Sequence, residues 1–298
     1  MTTSAVKGIF ALLRIPYWMM TGGLALLTAF AITKSFLNPE VALLTFFSMA
    51  FITSAGFALN DYFDRESDAV IKPKRPIPSG ALSLKQVVAI AVLFFVLGLS
   101  LAALINKLCL IILLVDSILL VIYSAFIKRK SGFAANILVG LLTGTAFLYG
   151  EAVTLGADVI SPGALTFASL SLYPIAFGTI GGNVLRDVLS IEGDAKVGYP
   201  TLPQKIGSAN AVRVAAAFFI ITSLSTPLPY LLNQFTLYYL PLMLLWSVLL
   251  LYSSIRLVIS ASTVENVRKY ERLITMSMML LPLSLIIEAL SPVIGGLL

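Results

Sequence analysis

Long apolar runs alternate with short polar segments along the whole chain. Each run covers about 20 residues, the length that a helix needs to cross the hydrocarbon core of a bilayer. Unpaired backbone groups are costly in lipid, and continuously apolar runs do not resemble the alternating strands of a barrel. The pattern therefore predicts nine transmembrane helices, at residues 15–33, 41–60, 84–104, 108–127, 133–153, 163–185, 210–230, 237–258 and 273–296. The expected fold class is an all-α membrane protein, with residues 1–298 forming one domain.

The composition agrees with this pattern. Of the 298 residues, 59% are hydrophobic and 11% are charged, and the mean hydropathy is +0.99. A soluble domain carries more charge than this. The first apolar run follows Lys7 and Arg14 and lacks a convincing small-residue cleavage site. We therefore expect it to be retained as a span and not removed as a signal peptide.

Basic residues are concentrated before the first run and in every second loop, while Lys34 and Lys107 fall on the other side. The positive-inside rule then places the N-terminus and the polar loops at about 60–85 and 186–207 in the cytoplasm, and the C-terminus outside. A membrane surface with anionic head groups accounts for the net charge of +6. We expect membrane lipids as partners, no nucleic acid and no obligatory protein partner.

Two features of the composition narrow the chemistry. The sequence has no histidine, which excludes His-based acid–base catalysis and the usual His-containing zinc sites. Its single cysteine, Cys109, lies inside an apolar run, so no intrachain disulfide can form and the thiol is expected to pack among apolar side chains.

The end of the second apolar run carries an amide and several carboxylates within residues 60–68. At helical spacing Asn60, Asp64 and Asp68 fall on one face over two turns. Hard oxygen ligands in this arrangement suit Mg²⁺, which takes one or two carboxylates and completes its shell with water and phosphate oxygens. The motif therefore predicts bound Mg²⁺ and a phosphorylated substrate.

A second acidic motif, residues 186–194, follows the sixth run and is predicted to lie on the same membrane face. Asp187 and Asp194 are seven residues apart and return to nearly the same helical face, with Ser190 between them. Two acidic rows that face each other suit a diphosphate held through bridging Mg²⁺. A single acidic run is often solvated surface or a helix cap, but two runs beside basic loops favour a metal–phosphate site.

Basic residues adjoin both motifs. Lys72 and Arg75 lie in a loop stiffened by prolines, which favours anion binding over a role in orientation alone. For Lys128 and Arg129, with Tyr123 upstream, the sequence supports anion binding and a role in orienting the chain in the membrane equally well.

Two carboxylates, Asp116 and Glu288, fall within predicted spans. An ionisable group in an apolar setting is costly and is a candidate for function. A neutral or hydrogen-bonded acid that joins helices is the structural alternative, and both interpretations stay open.

The two motifs and their continuations resemble the UbiA superfamily of intramembrane prenyltransferases over essentially the whole chain. The first signature is carried by residues 60–68 and 72–80, and the second by 191–194, 202–203 and 206–207. The resemblance implies nine helices around a central, lipid-accessible cavity, with both motifs at its cytoplasmic end. One departure is Ser190, where many members have aspartate; the serine form resembles chlorophyll synthases.

Within the superfamily, residues 138–144, 226–230 and 238–239 are similar to segments of archaeal members that act in ether-lipid synthesis. The resemblance implies Mg-dependent transfer of a geranylgeranyl group from geranylgeranyl diphosphate to the glycerol hydroxyl of geranylgeranylglyceryl phosphate, with release of diphosphate. An aromatic quinone precursor or a tetrapyrrole is the alternative acceptor. A transporter and a non-catalytic lipid-binding protein are more distant alternatives.

With these substrates, the charges of the side chains suggest roles for individual residues. The catalytic set is Asp64, Asp68, Asp187 and Asp194, and the metal ligands are these four with Asn60. The residues expected to bind the diphosphate are Lys72, Arg75, Lys128 and Tyr123. The residues expected to bind the acceptor phosphate are Arg14 and Arg186. The general base stays unassigned.

Overall fold

The computed structural model describes residues 3–260 and 263–296, which form helices joined by loops, without a β-strand in these ranges. The α-helices are α1 (Thr3–Leu13), α2 (Pro16–Trp18), α3 (Leu24–Thr33), α4 (Pro39–Phe63), α5 (Arg65–Ile71), α6 (Leu84–Ile105), α7 (Lys107–Ile122), α8 (Lys128–Lys130), α9 (Gly132–Ala152), α10 (Phe167–Leu172), α11 (Gly178–Leu189), α12 (Ile191–Lys196), α13 (Leu202–Ile206), α14 (Ser208–Ser225), α15 (Leu228–Leu231), α16 (Leu240–Ile259), α17 (Val264–Ser277), α18 (Leu280–Ala289) and α19 (Ser291–Gly295). Two π-helical turns, Met19–Gly23 and Tyr123–Ile127, and two 3₁₀ segments, Pro162–Ala164 and Tyr173–Phe177, complete the set.

Eight helical runs within the described ranges are long and apolar enough to cross a membrane. They are Val6–Thr33, Pro39–Phe63, Leu84–Ile105, Lys107–Lys130, Gly132–Ala152, Ser208–Leu231, Leu240–Ile259 and Val264–Ala289. The all-α membrane class is therefore confirmed, whereas the count of nine transmembrane helices is not.

The difference lies in the sixth predicted span, residues 163–185. This stretch is divided into α10, the 3₁₀ segment Tyr173–Phe177 and α11. Pro174 has no backbone N–H and cannot make the hydrogen bond to the carbonyl four residues earlier, so a continuous α-helix is interrupted there. Each piece is too short to cross a bilayer by itself.

Sequential neighbours pack against each other around the bundle, and α18 packs against α3 to close the circle. Helix α3 also packs against α9, across the middle of the bundle. Two hydrophobic clusters lie on either side of this α3–α9 contact. Both clusters include residues of α3 and α9. The first adds side chains of α10, α11, α13, α14, α16, α17 and α18, and the second adds side chains of α4, α6 and α7.

The α3–α9 contact is close because α9 has a glycine where the two backbones meet. A Cβ atom on Gly150 would lie 2.4 Å from the carbonyl oxygen of Ala25. Only glycine fits at this separation. This packing fixes the two halves of the bundle against each other and thereby positions the polar loops at one end.

Candidate active site

The first acidic motif lies where α4 passes into α5. Asp64 separates the two helices, with φ −86° and ψ 0°. The predicted single helix through residues 60–68 is therefore interrupted at Asp64. Backbone hydrogen bonds from Asp64 N to Asn60 O and from Asp68 N to Asp64 O continue across the junction, so the three side chains still follow one another at helical spacing. Both carboxylates are buried.

Lys128 joins this row from the fourth membrane-spanning run. The π-helical turn Tyr123–Ile127 directly precedes it, and such turns often occur at functional sites. The Lys128 ammonium forms an ion pair with Asp64 Oδ2 and donates to Asn60 Oδ1 at 3.2 Å. The structure thus places Asn60 and Asp64, which are predicted metal ligands, beside Lys128, which is predicted to bind the diphosphate.

Asp61, to which the sequence analysis gave no role, links two arginines. Its Oδ1 accepts from Arg14 Nη2 at 2.8 Å and from Arg75 Nη1 at 2.9 Å. Arg75 also forms an ion pair with Asp68. The guanidinium of Arg14 stacks over the Phe57 ring, 4.3 Å from its centroid. Asp61 therefore holds Arg14 and Arg75 beside Asn60, Asp64 and Asp68, which form the acidic row.

The second motif is formed by the end of α11 and by α12. Asp187 Oδ2 accepts a hydrogen bond from Asn136 Nδ2 at 2.8 Å. Ser190 Oγ donates to Asp194 Oδ2 at 2.6 Å. Asp187 interacts electrostatically with Asp194 and with Lys128, which itself pairs with Asp64 of the first motif.

Tyr199 makes the direct connection between the two motifs, and the sequence analysis missed it. Its hydroxyl donates to Asp64 Oδ1 at 2.6 Å and lies 2.9 Å from Ser67 Oγ. Its ring centroid is 5.3 Å from Lys128 Nζ. Burial raises the pKa of Tyr199 to about 12, so the phenol keeps its hydrogen at neutral pH. The position of Tyr199 between Gly198 and Pro200, in the continuation of the second motif, is the only signal in the sequence.

The other predicted ligands lie in different surroundings. Tyr123 is within electrostatic range of Lys128, Asp64 and Asp187. Lys72 is exposed at the end of α5. Arg186 is exposed and points to Glu271 of α17, with Nε 3.7 Å from Oε1. The roles of these residues in substrate binding stay predictions.

The donor set fits a divalent ion that is shared with a substrate. Residues 3–260 and 263–296 contain no group of three or more acidic or cysteine side chains that could hold a metal ion by itself. Asn60 Oδ1 and Asp64 Oδ2 nevertheless converge on one cation, the Lys128 ammonium. Mg²⁺ commonly takes one or two carboxylates together with water and phosphate oxygens, and this limited protein contribution is what the first motif offers.

The two carboxylates within spans make structural contacts. Thr145 Oγ1 lies 2.7 Å from Asp116 Oδ2 and 2.6 Å from the carbonyl oxygen of Leu142. Glu288 accepts from the backbone N–H and the hydroxyl of Thr236, at 2.9 and 2.6 Å. Asp116 thus links α7 to α9, whereas Glu288 links α18 to the loop before α16 and lies 3.8 Å from Lys34 Nζ at the end of α3. Such contacts are those of the structural interpretation, and a functional role for either acid stays a prediction.

A polar cavity of about 360 Å³ opens between the two polar loops that carry the acidic motifs, at about residues 60–85 and 186–207. These are called the motif loops. The side chains and backbone that line it come from α4, α5, α8, α12 and the loop after α12: Phe63, Glu66, Ser67, Val70, Arg129, Lys196, Val197, Gly198 and Tyr199. A second cavity, of about 430 Å³, is apolar and lies between α4 and α6. Tyr199 lines the polar cavity and also contacts Asp64.

The helical bundle and its paired acidic loops define a membrane-embedded protein with a charged site at one end. Residues 17–281 match the UbiA prenyltransferase family, and the chain belongs to this family of intramembrane enzymes. The family, the helical membrane fold and the enzyme class predicted from the sequence are thereby confirmed.

Two similar archaeal proteins support the family match. A digeranylgeranylglyceryl phosphate synthase from Natronomonas pharaonis is 36% identical over 236 residues, which cover 79% of this chain and 82% of the relative. The enzyme of the same name from Methanococcoides burtonii is 39% identical over 216 residues, which cover 70% of this chain and 74% of the relative.

Solved structures agree in fold. A structure concerned with digeranylgeranylglyceryl phosphate synthase in membranes has a TM-score of 0.80 and 26% identity, and the match covers 96% of this chain and 99% of that one. A UbiA homologue from Archaeoglobus fulgidus bound to GPP and Mg²⁺ has a TM-score of 0.66 and 20% identity, and the match covers 95% and 99%. At this identity the second similarity concerns the fold alone.

Proposed function

We propose that the protein transfers a geranylgeranyl group from geranylgeranyl diphosphate to the glycerol hydroxyl of geranylgeranylglyceryl phosphate. The observation that carries this proposal is the joining of two acidic motif loops at one end of a membrane bundle, through Tyr199 and Asp64. The names of the relatives from Natronomonas pharaonis and Methanococcoides burtonii support the choice of substrates.

The first task of the site is to hold the diphosphate of the donor. Asn60, Asp64 and Asp68 on one loop, with Asp187 and Asp194 on the other, are the ligands we propose for Mg²⁺. When bound, the ion offsets the negative charge of the diphosphate and makes it a better leaving group. Lys128, Arg75 and Lys72 supply further positive charge to the remaining oxygens, and Tyr123 borders the same region.

Breaking the bond between C1 of the prenyl group and the diphosphate oxygen leaves an allylic cation. Its lifetime depends on the exclusion of water, which the apolar interior of a helical bundle provides. The glycerol hydroxyl of the acceptor then forms the ether bond to C1 and loses its proton. Diphosphate is the other product. The bond from C1 to a diphosphate oxygen breaks, and a bond from C1 to the glycerol oxygen forms.

The proposed orientation follows from the position of the bases. Both motif loops lie at the same end of the bundle, since Ser67 of one loop contacts Tyr199 of the other. Arg75, Lys128 and Arg129 are at this end. The positive-inside rule places them in the cytoplasm, together with the N-terminus, where both phosphorylated substrates are expected to be available.

Incubating the purified protein with labelled geranylgeranyl diphosphate, Mg²⁺ and a panel of acceptors tests the proposal. We expect labelled digeranylgeranylglyceryl phosphate and an equal amount of diphosphate. Efficient use of hydroxybenzoate, naphthoate or chlorophyllide, with none of the glycerol lipid, would overturn the acceptor while keeping prenyl transfer. Binding of the donor without diphosphate release under any of these conditions would contradict enzymatic transfer altogether.

A further inference from the structure

The polar cavity between the motif loops has the chemistry of a phosphate site apart from the acidic row. We propose that it binds the phosphate group of the lipid acceptor, an inference that rests on the proposed function. Arg129 of α8 and Lys196 of α12 both line it. Two cations from separate helices suit a phosphate monoester, whereas the hydroxyl groups of Ser67 and Tyr199, which also line the cavity, donate to Asp64.

Arg129 is fixed at the wall of this cavity. Its Nη2 donates to the backbone carbonyl of Phe63 at 2.8 Å, and its guanidinium lies 6.0 Å from the centroid of the Phe63 ring. A guanidinium presents several N–H groups in a planar fork. The contact with Phe63 sets the orientation of this fork and uses only part of its donors, so the others are available to a phosphate.

Lys196, in the last turn of α12, lines the same cavity as Arg129. Both cations are exposed, as a site that receives a head group from the membrane surface requires. Glu66 also lines the cavity, and its charge opposes an anion. Its side chain is 81% exposed and pairs with Arg65 at 3.1 Å, which directs its carboxylate toward solvent and a neutralising partner.

The cavity lies next to the place proposed for the diphosphate of the donor. Tyr199 lines the cavity while its hydroxyl contacts Asp64 of the acidic row. A phosphate held by Arg129 and Lys196 therefore leaves the adjacent glycerol carbons close to the acidic row. Val70 and Val197 supply an apolar side for the first part of the lipid chain.

Arg14 and Arg186, the residues first expected to hold this phosphate, have acidic neighbours instead. Arg14 pairs with Asp61 at 2.8 Å, and Arg186 points toward Glu271. An acceptor phosphate at either residue has to compete with a carboxylate. Arg129 contacts a backbone carbonyl and a ring, which carry no net negative charge.

Steady-state kinetics of the full chain in lipid nanodiscs test this site. The variants are Arg129→Gln and Lys196→Gln, with Lys130→Gln as the control, because it removes the same charge from the residue next to Arg129. We expect each site variant to raise KM for geranylgeranylglyceryl phosphate by about tenfold or more. KM for geranylgeranyl diphosphate is expected to change less than about twofold. The control should match the wild type for both substrates.

The dephosphorylated acceptor, geranylgeranylglycerol, provides the decisive comparison. Wild type is expected to prefer the phosphorylated acceptor, and both site variants should lose most of that preference because their rate with geranylgeranylglycerol stays the same. If wild type uses the phosphorylated acceptor but both variants keep the full preference, the cavity is not the phosphate site. If wild type does not use geranylgeranylglyceryl phosphate at all, the proposed function fails first, and the two failures are thus distinguished.

Discussion

The hydroxyl of Tyr199 donates a hydrogen bond to Asp64 across 2.6 Å, although the two residues are 135 positions apart in the sequence. This bond ties the loop after α12 to the junction of α4 and α5. It orients one carboxylate oxygen of Asp64 while the other faces Lys128. Tyr199 therefore acts as a positioning residue for the row proposed to hold the metal.

Tyr199→Phe tests this role. The substitution keeps the ring over Lys128 and removes the hydroxyl, which donates to Asp64 and lies 2.9 Å from Ser67 Oγ. We expect kcat to fall by about tenfold and the Mg²⁺ concentration for half-maximal rate to rise, since a net hydrogen bond to a charged group contributes about 1.5–3 kcal/mol. Tyr230→Phe, beyond the opposite end of α14, is the control. Unchanged kcat and Mg²⁺ dependence in Tyr199→Phe would show that the bond has no catalytic consequence.

Removal of Asp68 tests the metal-binding row with little effect on packing. Its partner Arg75 also pairs with Asp61, so Asp68→Ala leaves no unpaired buried cation. We expect a loss of at least about a hundredfold in kcat, with normal yield and elution of folded protein. Asp158→Ala, whose side chain is 97% exposed, is the control acid.

Chelation and metal titration complete this test. Excess chelator should abolish the activity of the wild type, and added Mg²⁺ should restore it. Turnover of Asp68→Ala within a few-fold of wild type, or full activity in chelator, would contradict the metal assignment.

The second motif predicts opposite effects for two substitutions. Ser190 Oγ lies 2.6 Å from Asp194 Oδ2, so Ser190→Asp places two carboxylates side by side and should lower the Mg²⁺ concentration for half-maximal rate. Asp187→Asn removes a charge and should raise that concentration. Rate measurements over a Mg²⁺ titration check both. The same Mg²⁺ dependence in both variants and in wild type would remove this motif from the proposed metal site.

The contacts of Asp116 predict that its charge is dispensable. Thr145 has one hydroxyl hydrogen for two close oxygens, one on Leu142 and one on Asp116. Both contacts are satisfied if Asp116 carries a proton and donates it to Thr145. Asp116→Asn should therefore keep activity and thermal stability, whereas Asp116→Leu should lower the midpoint of thermal unfolding. An inactive but folded Asp116→Asn would instead indicate a role in proton transfer.

The close approach of α3 and α9 predicts a strong effect of one methyl group. Gly150→Ala places a Cβ atom 2.4 Å from Ala25 O, and relief of this overlap should cost about 1–3 kcal/mol of unfolding free energy. Gly182→Ala is the control, since a Cβ there meets nothing within 4 Å. Thermal unfolding in detergent checks the difference, and equal midpoints for the two variants would contradict the tight contact.

The sequence determined the membrane class and the identity of the acidic motifs. Both follow from local rules: a bilayer fixes the length of an apolar helix, and backbone groups must be satisfied within it. The spacing of Asn60, Asp64 and Asp68 likewise needs only the helical repeat. The break at Asp64 and the division of the sixth span at Pro174 altered details of these predictions without changing the class.

Only the tertiary structure decided which distant side chains meet. The pairing of Tyr199 with Asp64, of Arg14 with Asp61 and of Arg129 with the Phe63 carbonyl depends on how the helices pack around the α3–α9 contact. Helical periodicity relates residues within one element, and it carries no information about a partner on another element. The sequence therefore identified the charged groups at this end of the bundle, and the packing of the helices determined which of them face one another.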